Sequence, residues 1–144
     1  MRLTLTLLAA IGMALSSAAL KEHYNMDPSP CKINERWDCG AVNHSPYAEV
    51  RGIPVAVVGF AGYVALAILT WTGPIPLLLM ATGVGLGISL QLTSIEASVL
   101  QVWCLYCVGS LAVISLMAAL SLGFTLAQYT TARKAPPTRE AGSS

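Results

Sequence analysis

Four long apolar runs limit what this chain can become. Residues 3–20, 54–72, 75–93 and 104–127 carry no charged side chain. Each is long enough, as an α-helix, to cross the hydrocarbon layer of a bilayer. Backbone inside lipid must satisfy its own hydrogen bonds, so runs of this length become helices. The sequence therefore predicts an all-α membrane protein, a four-helix transmembrane bundle with a long outer loop between helices 1 and 2. Composition agrees, with 55% hydrophobic and 10% charged residues. The net charge of +1 leaves no basic stripe, so nucleic acid is not an expected partner.

Details of the runs refine the expectation. The first has Arg2 in front and Ser16-Ser17-Ala18-Ala19 near its end, a pattern shared by cleaved leaders and first spans. The three later spans favour a retained helix. Pro54 suits a first helical turn, and Trp71 suits a membrane–water boundary. Thr72-Gly73-Pro74 makes a tight connection. Gly83 and Gly87 have the GxxxG spacing that lets helices approach closely. Residues 94–102 read as a link. The bundle is expected to occupy residues 1–130, and 131–144 read as a disordered cytoplasmic tail.

Residues 21–53 form the one long polar stretch and hold nine of the fifteen charged residues, four basic and five acidic. Arg2 at one end and Arg133, Lys134 and Arg139 at the other place both termini in the cytoplasm by the positive-inside tendency. Four spans then put the 21–53 loop and the 94–102 link together on the outer side. Ser45-Pro46 predicts a short helix over residues 47–51.

The cysteines fall into two pairs, Cys31 with Cys39 and Cys104 with Cys107, and this topology gives both the same oxidising face. Cys104-Leu105-Tyr106-Cys107 stands at the mouth of the fourth span. At a helix start, free backbone N–H groups and the helix dipole favour a thiolate, which suits redox work. A structural disulfide is the plainer reading. Four cysteines could also hold zinc, but Cys-x7-Cys is too wide for the usual ligand spacing, so no metal is expected. Cys31 and Cys39 read equally as a loop-closing disulfide and as a mobile dithiol relay. His23 and His44 are candidate proton donors or plain surface histidines. Glu96 is expected at the solvated interface. Trp103 and Tyr106 are belt aromatics or walls of a quinone pocket.

Several linked segments resemble the vitamin K epoxide reductase (VKOR) family in its short bacterial-type form. They are Glu22-His23-Tyr24, Cys31-Lys32-Ile33-Asn34, Asp38-Cys39-Gly40-Ala41-Val42, Ser45-Pro46-Tyr47, Gly52-Ile53-Pro54-Val55-Ala56-Val57-Val58-Gly59, Gly62-Tyr63 and Cys104-Leu105-Tyr106-Cys107. The resemblance covers roughly residues 20–125. It implies a bundle around a quinone of ubiquinone, menaquinone or vitamin K type. Cys104 and Cys107 are then the active pair, with Cys107 nearer the quinone, and Cys31 and Cys39 are the shuttle. Ser45, Val55, Gly59, Tyr63, Leu111 and Cys107 are the implied quinone surroundings. With no fused thioredoxin-like domain after the fourth span, a thioredoxin-like thiol protein is expected in trans. Vertebrate members carry an asparagine near Val55 and a tyrosine at Leu111. Neither residue here donates a hydrogen bond, so quinone is a better expected substrate than its epoxide.

The reading that follows is a quinone-linked thiol oxidoreductase supporting disulfide formation. It would sit in an inner or plasma membrane with the site outward if bacterial, and in the endoplasmic reticulum with the site toward the lumen if eukaryotic. The competing readings are a vitamin K quinone or epoxide reductase and a non-catalytic membrane scaffold with structural disulfides.

Overall fold

The computed structural model describes residues 1–134. Four long helices follow the four apolar runs: α1 (Arg2–Tyr24), α3 (Val55–Thr72), α4 (Ile75–Ile95) and α5 (Leu105–Lys134), with a short α2 (Cys39–Asn43) in the loop after α1. All four are long and apolar enough to cross a membrane, and the fold is an all-α membrane bundle. Large apolar side chains such as Leu7, Ile68, Met80 and Leu126 face outward, as lipid-facing positions require.

The helices form a closed ring in which α1 packs on α3 and α5, and α4 packs on α5 and α3. Leu5, Ala9, Tyr63, Leu66, Leu78, Val113, Ile114 and Met117 make the shared core. α1 thus supplies Leu5 and Ala9 to the core. Small residues permit the close approaches. A Cβ at Gly12 would overlap the Tyr63 ring, and one at Gly85 would lie 3.1 Å from Ile114 Cδ1. The GxxxG pair is not used this way: Gly83 and Gly87 have nothing within 4 Å of a Cβ position, and Gly85 between them faces α5.

Three stretches differ from the sequence expectation. The helix predicted over residues 47–51 is instead a 3-10 turn, Pro46–Ala48, followed by a two-stranded hairpin of Glu49–Val50 (β1) and Ile53–Pro54 (β2). Arg51 and Gly52 both have positive φ, at 54° and 81°, which closes a two-residue hairpin and stops a helix. The helix of the third span also continues through Ile95 into a π-helical turn, Glu96–Leu100, where a link was expected. Nothing in residues 94–100 breaks a helix, and the Ser94 hydroxyl satisfies itself by donating to the Leu90 carbonyl, 2.8 Å away. Finally, α5 runs to Lys134, beyond the expected end near 127. The rest of the expected tail, 135–144, lies outside the described residues.

Candidate active site

The loop between α1 and α3 is built onto the entrance of α5. Asn34 Oδ1 accepts from the N–H groups of Arg36 and Trp37 at 2.9 and 3.1 Å, folding the chain into a tight turn. The next residues pair with the lead-in to Cys104. The Trp103 N–H donates to the Arg36 carbonyl at 2.7 Å, and the Asp38 N–H donates to the Trp103 carbonyl at 3.2 Å. The Trp37 and Trp103 rings lie 6.3 Å apart over this junction. Asp38 then caps α2, accepting from the Ala41 N–H at 3.0 Å. That N–H holds the Asp38 carboxyl below its usual range, against the cost of partial burial and with help from Lys32 at 3.2 Å.

Capping α2 at Asp38 sets Cys39 at the first helical position, bridged to Cys31 with Cα atoms 5.7 Å apart. Cys31, Cys39 and Cys104 form one buried cluster with Val42, and Cys39 and Cys104 are fully buried. Asn43 ties the pairs together. Its Nδ2 donates to the Cys39 carbonyl at 2.8 Å and reaches the Cys104 sulfur at 3.7 Å. His23 secures the other side of Asn43: its Nδ1 lies 2.6 Å from the Asn43 carbonyl oxygen and its Nε2 lies 3.1 Å from Glu49 Oε1. His23 is therefore a brace between α1, α2 and the hairpin. His44 bonds the Gly40 carbonyl at 2.8 Å and faces outward.

Cys104 and Cys107 are both free thiols. Cys104 stands just before α5, with its carbonyl accepting from Val108 N–H at 3.0 Å, the position of an N-cap. The Cys107 thiol donates to its sulfur, and the backbone N–H groups of Cys107 and Tyr106 add to this. Together they hold the Cys104 thiol below its ordinary value, opposed by burial and by the negative charge of Glu96. Glu96 is only 2% exposed. Its Oε2 accepts from the Cys104 N–H at 3.1 Å, and Glu96 and Cys107 line the same cavity. The expectation that Glu96 is solvated at the interface is thus corrected. Glu96 continues the Val84, Ile88 and Leu92 row of α4 on the cavity face and so lies over the start of α5.

Cys107 opens onto a cavity of about 470 Å³ between the helices. Its walls are mainly apolar, from Val55, Val58, Leu66, Val84, Ile88 and Ile114 among others. A few polar groups converge on it, including Glu96, Asn43, Ser110 and Tyr63. Size and lining suit a small, flat, mostly apolar ligand with polar oxygens.

The sequence model described as the Vitamin K epoxide reductase family matches residues 3–122 of the 144. The chain belongs to the vitamin K epoxide reductase family. No curated protein matches it. Membership makes it an integral membrane protein of a quinone-linked thiol oxidoreductase family.

Of the residues that the family resemblance singles out, Ser45, Val55, Gly59, Tyr63 and Cys107 line the cavity. Leu111 does not; it packs against the apolar core. The reason is helical phase. Ser110, three residues after Cys107, and Ile114, seven after it, share the cavity face, and Leu111 is turned away. The Ser45 hydroxyl is already committed to the Val42 carbonyl at 2.7 Å. Tyr63 O–H bonds the Ser110 carbonyl at 3.0 Å and lies 2.8 Å from its hydroxyl. Tyr106 lines the cavity, whereas Trp103 holds the loop junction. Sequence reasoning missed Asn43 and Ser110. Spacing from Cys107 was a signal for Ser110, but Asn43 had none, since only the fold brings it to Cys104.

Proposed function

We propose that this VKOR-family protein is a quinone-dependent thiol oxidase that supports disulfide formation outside the cytoplasm. One observation carries the reading. Cys104 is buried between the bridged Cys31–Cys39 pair on one side and Cys107, which opens onto an apolar cavity, on the other. A scaffold with two structural disulfides has no use for a free dithiol at the mouth of such a cavity.

A bound quinone supplies a two-electron, two-proton acceptor. The chain's own residues do the rest. Cys31, less deeply buried than Cys39, meets a reduced thioredoxin-like partner supplied in trans. Exchange reduces the Cys31–Cys39 bridge and oxidises the partner. The Cys39 thiolate then attacks an oxidised Cys104–Cys107 pair at Cys104, giving a Cys39–Cys104 mixed disulfide and freeing Cys107. Attack of Cys31 on Cys39 restores the loop bridge and leaves both Cys104 and Cys107 reduced. Asn43 orients Cys104 toward α2, and Val55, Gly59 and Tyr63 shape the apolar bed for the acceptor. The site lies on the outer face of an inner or plasma membrane, or the lumenal face of the endoplasmic reticulum.

Stopped-flow absorbance of the purified protein with ubiquinone or menaquinone and a reduced thioredoxin-like partner tests the reading. Quinone loss matched by equimolar partner oxidation, abolished in Cys107→Ala, is expected. Quinone reduction that persists without Cys104 and Cys107 removes the basis of the proposal.

A further inference from the structure

Glu96 is a carboxyl in a place where carboxyls are costly. It sits at the end of an apolar helix, buried, with its Oε2 on the backbone N–H of Cys104. Two observations say that it has work there. Helical phase sets Glu96 in line with Val84, Ile88 and Leu92 on the cavity face of α4, and the chain leaves α-helical geometry there, with a π-helical turn over Glu96–Leu100 and left-handed Gln101 at φ 54°. Glu96 also lines the same cavity as Cys107 while its Oε2 holds the Cys104 N–H, so the carboxylate stands between the dithiol and the cavity.

We propose that Glu96 carries the Cys107 proton during oxidation of the Cys104–Cys107 pair, passing it from sulfur into the cavity. The proposal rests on the quinone-linked reading above. The balance is simple. Cys104 reacts as a thiolate and Cys107 as a thiol. The S–S bond forms between them, and two electrons leave to the quinone. Glu96 takes the Cys107 proton and releases it to a quinone oxygen, and the second proton comes from water at the loop end. Glu96 ends as it began.

A purely structural Glu96 would serve only as an acceptor for the Cys104 N–H. Glu96→Gln keeps that acceptor and loses the proton carrier. Other titratable groups near the pair are few. α1 brings Glu22 and His23, α3 brings Tyr63, and α5 brings Tyr106 beside the cysteines. The charge of Glu22 acts on Tyr106. Asp38, before α2, is occupied by Ala41 and Lys32. Glu22→Gln is the matched control for removing a buried carboxylate.

Two readouts test the proposal. The first needs no quinone. With the loop bridge intact, Cys104 and Cys107 are the free thiols, and their ionisation is followed by ultraviolet thiolate absorbance against pH. Because the Glu96 charge raises Cys104, Glu96→Gln should move thiolate formation to lower pH. The second is quinone turnover, which should fall by about a hundredfold in Glu96→Gln and lose its acid-side pH dependence. Easier ionisation with slower turnover is a pairing that simple damage to the fold does not produce. Glu96→Asp should retain the pH dependence at reduced rate, and it decides the matter if the Gln variant does not fold. Wild-type turnover in Glu96→Gln, an unmoved thiolate titration, or a Glu96→Asp profile without the acid limb would each overturn the proposal. If the wild type itself reduces no quinone, the functional reading fails, while the thiolate titration still reports on Glu96.

Discussion

Replacing Gly12 with alanine should damage the apolar cavity from the far side of α1. A Cβ at this position would overlap the Tyr63 ring. To restore ordinary carbon–carbon contact of about 3.5–4 Å, the ring must move by about 1 Å or more. Tyr63 is only 4% exposed and packed in the bundle core, so the ring has little room. Forcing one extra methyl into such a core costs about 1–3 kcal/mol. The displaced phenol also weakens its bonds to Ser110, worth about 1 kcal/mol. The expected loss is therefore about 2–4 kcal/mol, with a higher KM for quinone because Tyr63 lines the cavity. Denaturation in detergent, run as a double-mutant cycle with Tyr63→Leu, isolates the contact. Without the ring, the Gly12→Ala cost should fall to about 1 kcal/mol or less. An equal penalty in both backgrounds would refute the clash as its cause.

Further outcomes follow from the loop and the cysteines. In Cys107→Ala, Cys104 has no local partner, so a Cys39–Cys104 disulfide should accumulate; mass spectrometry finding only Cys31–Cys39 would count against the relay. Cys31→Ser should block oxidation of a protein partner and spare turnover with a small dithiol; equal loss with both donors would mean that Cys31 does not receive the partner. Asp38→Ala should cost about 1 kcal/mol at neutral pH. The lowered Asp38 value means that this stabilisation is present above about pH 4 and is lost as the pH falls through the folded-state value. The gap between wild type and variant should therefore shrink in acid melts, and a constant gap would reject the charged cap. Labelling of introduced cysteines in intact cells should reach residues 25–38 from the outer side and the Thr72–Pro74 turn from the cytoplasm; the reverse pattern would invert the topology.

The structure changes one argument about substrate choice. Val55 lines the cavity and donates no hydrogen bond, as the sequence implied. Leu111, however, does not face the cavity, and Ser110 and Tyr63 bring hydroxyls to it. The preference for quinone over epoxide therefore rests on whether these hydroxyls assist an epoxide oxygen. Equal turnover on the two substrates with the same dithiol would show that they do.

The four apolar runs were enough to determine the bundle, because a backbone in lipid has almost no alternative to the helix. The cysteine pairs and the parity of four spans also made their meeting at one end legible, since antiparallel connection follows from chain order. Local rules failed where two conformations are close in energy. Residues 47–51 carry a helix-like Ser-Pro start, yet Arg51 and Gly52 took left-handed backbone and made a hairpin. Residues 94–100 are polar enough for a loop, yet their hydroxyls bond back to the helix and let it run on.

What the sequence could not contain was the environment of single side chains. Glu96 reads as an interfacial carboxylate from its neighbours in the chain, and only the packing of α4 on α5 buries it over the Cys104 N–H. Asn43 meets Cys104 across sixty-one residues, and that meeting depends on Trp103 pairing with Arg36 and Asp38. Helix formation in a bilayer is set by the composition of one segment, and so the sequence determined it alone. The reactivity of a thiol is set by whatever donors and charges lie within a few ångströms of it, and those came from three separate parts of the chain brought together by tertiary packing.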